Sequence, residues 1–365
     1  MTSKERFWKA VRLQEPDRVP VAPYLVFFAA NLAGMTPAEF GWSVEKSHQA
    51  LFKTYQYFDK EFDALNIQSM RFAYMGVFPS AYSLLYFDWE FPPEDLPQFA
   101  QKEGQYGADL YDRIVDEGFT YLIRPSRIDM DKIEETYFEE TLRHQQWMDR
   151  WEKEDVVNIA GPTATIPIDL LLFVRGTEGF GDLTLYPEKI KEINELMTPG
   201  MIAVNTFWAK IANSNIQRVS IHNFTADLVS PNMFEDLCWP WMNKIIQDLL
   251  EEDCTLVLHL DGNWTPLLHF FQDLPPKRII MELENTDMKE AKKILGNKVC
   301  LKGNVPCTDL AFGTVNQVAD RCKQLIDDCG VGGGFILSSG CEAPVNSKPE
   351  NIAAMINTAI TYGCY

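Results

Sequence analysis

Leu256–Asn263 reads LVLHLDGN. Three apolar residues run into a histidine, and a carboxylate follows two positions on. Residues two apart on a strand face the same way. His259 and Asp261 are therefore expected to project together from a strand end, with Gly262 turning the backbone just beyond. A second stretch, Phe335–Glu342 (FILSSGCE), has the same form: an apolar strand, small residues, then Cys341. Imidazole, carboxylate and thiolate together make a mixed N/O/S donor set, which suits zinc. The two strand ends are expected to meet and hold Zn²⁺ through His259, Asp261 and Cys341.

Outward from this stretch the chain alternates strand and helix. Expected strands are Val156–Ala160, Arg218–His222, Thr255–Leu260, Arg278–Leu283, Val299–Val305 and Phe335–Ser339. Helices are expected between them, among them Ile166–Val174, Pro187–Ser214, Asn232–Glu252, Asp287–Leu295, Val315–Cys329 and Pro349–Tyr362. That rhythm is the pattern of parallel βαβ units. Two blurred repeats come earlier, with strands expected over Val19–Phe28 and Phe62–Ser69 and helices over Ser3–Leu13 and Ser43–Phe58. The sum predicts an α/β fold, a (β/α)₈ TIM barrel in one domain over residues 1–365, with an N-terminal extension. Residues 71–150, rich in Phe, Tyr and acid, read as an insertion over the active face or as an aromatic subcore. Within them, Leu110–Val115 and Thr120–Ile123 read as a hairpin. A doubly wound sheet is the alternative, but no GxGxxG follows a strand; Gly332–Gly334 precedes one and reads as a tight turn.

In parallel barrels the working residues sit at the C-terminal ends of strands. Those ends offer His222, Asn223 and Asp227; then His259 and Asp261; Glu282 and Glu284; Lys302 and Asn304; Cys341 and Glu342. Asp261, Glu282 and His222 are candidates for acid–base work, and Asn223, Asp227, Glu284 and Asn304 for substrate contacts. Each has a plainer reading. A lone strand-end histidine is more often a hydrogen-bonded core residue than a ligand, and Glu282 and Glu284 can simply pair with Lys302. His48, His144 and His269 fall in helical stretches and read as ordinary.

The 365 residues are 46% hydrophobic, enough for a large core. The formal net charge is −19, from 33 basic and 52 acidic residues, which argues against nucleic acid as a partner. No run of about twenty apolar residues marks a membrane helix. The charged opening MTSKERFWKAVRLQEPDR lacks a signal-peptide core, so a cytoplasmic location is expected. Eight cysteines fall between Cys238 and Cys364 without a CxxC, and most are expected to be reduced and buried.

Three blocks carry a family resemblance: KERFWKAVRLQEPDRVPV; SPNMFEDLCWPWMNKII with LHLDGN; and LKGNVPCTDLAFGT with FILSSGCEAP. Over nearly the whole chain, and most specifically in its second half, they resemble the uroporphyrinogen decarboxylase superfamily, which implies a (β/α)₈ barrel. Authentic decarboxylases of that superfamily carry an Arg-Gln-Ala-Gly-Arg-Tyr run soon after the Asp-Arg-x-Pro segment. Here LVFFAANLAGM stands there, without the arginines that a polycarboxylate substrate needs. The chain looks more like the cobalamin-dependent methyltransferase branch. There the resemblance implies a zinc held by a His-x-Cys pair and a later Cys in a Gly-Cys turn. His259 and Cys341 match the outer two ligands, and Asp261 stands in place of the middle cysteine. A carboxylate leaves a harder metal, better suited to polarising an ether or amine than to activating a thiolate. A metal-free site, or one using Glu282 or Glu342, stays open.

The expected function is therefore methyl transfer between a small methyl donor, an aryl methyl ether or methylated amine, and the cobalt of a separate corrinoid protein, with zinc assistance. The cobalamin would come from that partner, and pairing of two copies is expected of such barrels. A decarboxylase or lyase acting on a tetrapyrrole, or a non-catalytic corrinoid-binding barrel, are the alternatives.

Overall fold

The computed structural model of the chain describes residues 1–68, 106–118 and 130–365, with 130–138 as backbone alone. Its centre is a parallel sheet of six strands in sequential order: β3 (Thr163–Ala164), β4 (Ile216–Ile221), β5 (Thr255–Leu260), β6 (Ile279–Leu283), β7 (Cys300–Val305) and β8 (Phe335–Ser339). A further parallel pair joins β1 (Ala64–Leu65) to β2 (Val157–Asn158). Helices separate the strands of the six-stranded sheet, so the chain is an α/β protein with a parallel sheet. Strands β4 to β8 fall within two residues of where apolar runs and turn residues predict them.

Backbone hydrogen bonds continue past both sheets. The extended segment before Pro23 lies along β8, with Leu337 N–H on Pro20 O and Ala22 N–H on Leu337 O, each 2.9 Å. It also touches β1, through Asp63 N–H on Val21 O at 2.9 Å. Val157 N–H reaches Asp63 O at 3.0 Å, and five residues later Pro162 O accepts from Arg218 N–H at 2.8 Å.

Strand alternation sorts the side chains. Val219, Leu256, Leu258, Leu260, Met281 and Leu283 pack among the helices. The opposite face begins with an apolar layer, Ile216, Val257, Ile280, Cys300 and Ile336, together with Ala22, Ala64 and Ile159. Helix α1 (Ser3–Val11) drives Phe7, Ala10 and Val11 into this layer. Its cap is Thr2: Thr2 and Glu5 close a reciprocal capping box that satisfies two free N–H groups. An ionic clasp locks the helix in place. Asp63, fully buried, lies 2.6 Å from Arg6 and 2.8 Å from Arg18, and Arg6 also grips Asp17. The charged residues of the opening block thus hold one end of the interior shut.

Two expected elements differ. Val19–Phe28 is not one strand: extended chain ends near Ala22 and helix α2 spans Val26–Ala33. Val26–Ala30 are all buried, so an unbroken apolar run fits a buried helix as well as a strand. Leu110–Val115 lies inside a helix, Asp109–Glu117, whose Leu110, Tyr111 and Ile114 share a buried face. Its supposed partner Thr120–Ile123, like residues 71–105 of the expected insertion, lies outside the described residues. Gly332, Gly333 and Gly334 all have positive φ (81°, 77° and 70°), as a tight turn requires.

Helix α3 (Val44–Tyr57) meets the helix Met130–Trp151 through a histidine pair. Trp151 Nε1–H donates to His48 Nδ1 at 3.2 Å, so His48 carries its proton on Nε2, 3.0 Å from His144 Nδ1. Burial, with His144 adding to it, holds His48 well below the ordinary imidazole range, and burial lowers His144 to about 4. Unfolded imidazoles titrate near 6.5, so below that pH the unfolded chain binds more protons and stability falls as pH drops toward about 4. Thermal melts should show a midpoint roughly 5 °C lower at pH 5 than at pH 7.5, with a His144→Gln variant losing part of that drop. Equal drops in both proteins would remove the pair from the account.

Candidate metal centre

Register sets one row of side chains above the apolar layer. Ser220 pairs with His259, His259 with Glu282, and Glu282 with Lys302. Beyond that row the strands end, and Asp261 and Cys341 follow β5 and β8. The 82 positions between His259 and Cys341 close to 3.9 Å from Nε2 to Sγ. Asp261 Oδ1 stands 3.2 Å from His259 Nε2 and 3.3 Å from Cys341 Sγ. All three donor atoms lie within 4.8 Å of one another. Donors around a tetrahedral ion with bonds of 2.0–2.3 Å sit roughly 3.3–3.7 Å apart. The trio therefore fits one small cation and leaves a fourth position for another ligand.

The imidazole is aimed by what lies behind it. Glu282 Oε2 is 2.8 Å from His259 Nδ1, which assigns a proton to Nδ1 and leaves Nε2 as the nitrogen that faces Asp261 and Cys341. Glu282 is in turn flanked by Arg218 Nη2 and Lys302 Nζ, each at 2.8 Å. Lys302 also donates to Ser338 Oγ at 2.9 Å, which donates to Ala22 O at 2.8 Å. All four of Arg218, His259, Glu282 and Lys302 are buried.

The electrostatics follow from that packing. Burial works against charge on Glu282, but Arg218 and Lys302 outweigh it and keep the carboxyl ionised well below its usual range. Burial likewise opposes charge on His259, and Asp261 overrides it, so the metal-free imidazole tends to be protonated. Burial, with the charge of Asp261, pushes the Cys341 thiol up to about 11. A cation bound there would have to displace these protons.

The remaining expected residues surround the trio in other roles. His222 lies edge-on to His259, ring centroids 6.2 Å apart, with Nδ1 3.1 Å from Asp169 Oδ2. The amide of Asn223 donates to Asp169 O, and Asp227 Oδ2 accepts from Asn263 N–H. Glu284 Oε2 accepts from Gly262 N–H, and Asn304 Nδ2 bridges the carbonyls of Glu284 and Thr286. These polar groups brace the loops that carry the trio. Of the two glutamates, Glu282 is the one that pairs with Lys302. Glu342 takes up Phe27 N–H at 2.7 Å in the first turn of α2, where a carboxylate meets the helix dipole.

Three contributors went unnoticed in the sequence: Arg218, Asp169 and Tyr24. Arg218 alone left a legible mark, a charge inside the otherwise uncharged strand IQRVSI. The eight cysteines are all unpaired, and five of them are buried.

The family model for uroporphyrinogen decarboxylase (URO-D) matches residues 151–362. The chain belongs to the uroporphyrinogen decarboxylase family. That span covers every strand from β2 to β8 and all three residues of the metal trio. Among its curated relatives in this family, a methylcobamide:CoM methyltransferase MtbA of Methanosarcina acetivorans is 26% identical over 199 residues, 54% of this chain and 56% of that protein. A uroporphyrinogen decarboxylase of Hordeum vulgare is 28% identical over 152 residues, 40% of this chain and 44% of that protein. The chain thus matches only about half the length of such relatives. A solved structure described as a methyltransferase from Methanosarcina mazei shares the fold over 99% of both chains, with a TM-score of 0.64 and 16% identity. No helix among the described residues is long and apolar enough to cross a membrane.

Proposed function

We propose that this family member is a methyltransferase of a corrinoid-dependent system, with zinc held by His259, Asp261 and Cys341. The observation that carries this reading is the trio itself, three different donors converging at strand ends with a carboxylate behind the imidazole. The segment before Pro23 and strands β1 to β8, with β2 and β3 counted as one arm, are taken to close into a (β/α)₈ barrel, supported by hydrogen bonds from that segment to both β8 and the residue before β1. Zinc bound there would supply a Lewis acid for the oxygen or nitrogen that carries the methyl group.

The protein's own residues do the rest. Asp261 and Cys341 provide two negative donors against a divalent ion, and Glu282 holds His259 in the tautomer that binds. His222, oriented by Asp169 and beside the trio, would hold or deliver the proton of the leaving group. Asn223, Asp227, Glu284 and Asn304 would frame the substrate by fixing the loops around it. The strand ends must admit both a small methylated substrate and the cobalt of a separate corrinoid protein, aligned with the methyl group. The absence of arginine from α2, VFFAANLA, weighs against a polycarboxylate tetrapyrrole as substrate. A cytoplasmic enzyme, working as a pair of copies, completes the proposal.

Mixing the chain with a reduced corrinoid protein and candidate donors tests it. A donor-dependent loss of the Co(I) absorption is expected. No change across ethers, amines and thiols would overturn the assignment.

A further inference from the structure

Two buried polar side chains near the metal centre have bonding capacity left over. Asn66, 1% exposed, has neither amide atom hydrogen-bonded, and Arg218, 4% exposed, has Nη1 without a partner. Both belong to the face that holds the trio. Glu282 Oε2 is shared between Arg218 Nη2 and His259 Nδ1, so the guanidinium sits one carboxylate oxygen away from the ligand imidazole. Tyr24 touches both, its ring centroid 5.9 Å from the His259 ring and 5.7 Å from Arg218 Cζ. Asn66 follows the strand Ala64–Leu65 at a turn, where Ile67 N–H bonds back to Leu65 O at 3.0 Å; Ala64 packs in the interior layer, while Leu65 and Ile67 on either side of Asn66 both pack among the helices. Two positions further, Gln68 Nε2 reaches Tyr24 Oη at 3.4 Å, which places this face of the segment beside Tyr24.

Buried groups of this kind are costly to leave unpaired and are normally matched by something that binds. The charges say what. Beneath the trio, two cations, Arg218 and Lys302, share the single carboxylate of Glu282. One positive charge is left over in a buried setting, with a guanidinium N–H and an amide N–H as free donors. An ammonium would be repelled by that surplus charge, and the acceptors open to it, Asn66 Oδ1 and Glu282 Oε1, include one already 2.8 Å from Lys302 Nζ. An oxyanion would neutralise the excess and accept from both donors.

We propose that Arg218 and Asn66 form a subsite for an oxyanion of the substrate, a carboxylate first of all, beside the metal trio. The inference rests on the methyl-transfer reading and sharpens it: the methylated compound is anionic, not a methylated ammonium. Arg218 and Asn66 then decide specificity and position the substrate, with Tyr24 as the wall between subsite and metal.

Calorimetric titration of the full chain tests this without any methyl transfer, so it can fail or succeed independently of the cobalt assay. The probes are acetate and benzoate, with benzyl alcohol and benzylammonium as neutral and cationic comparators. Benzoate should bind about tenfold or more tightly than either comparator. That preference should survive chelator treatment, since the subsite is separate from the metal. Arg218→Lys, which keeps a charge facing Glu282 but removes Nη1, and the near-isosteric Asn66→Leu should each bring the benzoate preference down about tenfold. Equal affinity for benzoate and benzyl alcohol, loss of the preference on chelation, or an unchanged preference in both variants would overturn the assignment.

Discussion

Replacing Cys341 with alanine is expected to strip the metal while leaving the chain folded. Cys341 lies in the turn after β8, half-buried, and its sulfur meets Asp261 and His259 rather than the apolar core. Little packing is lost with it, but one of three donors is, and zinc affinity should fall by orders of magnitude. His259→Ala should have the same effect on metal and a larger one on stability, because Glu282 loses a buried partner. The wild-type chain should carry about one zinc, and both variants less than about a tenth of that. Metal analysis alongside thermal melting decides the matter. Zinc retained in full by both variants would place the ligands elsewhere.

The second large effect belongs to Glu282. Among the described residues its carboxylate is the one counter-charge in salt-bridge contact with both Arg218 and Lys302, which are buried. Glu282→Ala leaves two like charges facing one another away from water, and breaking a buried ionic cluster in this way costs about 3–5 kcal/mol. It also removes the acceptor that orients His259, for which a loss of about 10–100-fold in metal affinity is expected. These two consequences separate in a double variant. Glu282→Gln with Lys302→Met removes one charge of each sign, so it should recover part of the stability and little of the metal affinity. Urea unfolding and zinc titration read the two quantities. A wild-type unfolding midpoint for Glu282→Ala would show that the cluster contributes nothing.

How far the sequence foretold all this depends on the length and purity of each signal. The strands β4 to β8 were legible because each is a short apolar run closed by Gly, Pro or Asn, and their ends delivered His259, Asp261 and Cys341 together. Helix α2 was misread because an all-apolar run has no period to distinguish helix from strand. The helix Asp109–Glu117 was misread because its buried face holds only three residues, too few to show a helical repeat in a charged setting. Glu282 was seen, but as a competitor for catalysis, since its tie to Nδ1 of His259 depends on register across β5 and β6. Asn66 and Tyr24 were invisible: an Asn after a short strand and a Tyr between Pro and Leu are ordinary until the fold sets Tyr24 beside the His259 ring and buries Asn66 with both amide atoms unpaired. The family resemblance and the later family match agree on fold, whereas the choice of substrate rests on side chains that no motif contains.

Helix α1, clasped by Asp63, stoppers the end of the interior where the strands begin. On the methyl-transfer proposal, substrate and corrinoid protein would both approach from the opposite end, where the strands finish. A carrier docked there would cover the route of the small molecule, so saturating amounts of carrier should slow the reaction rather than speed it.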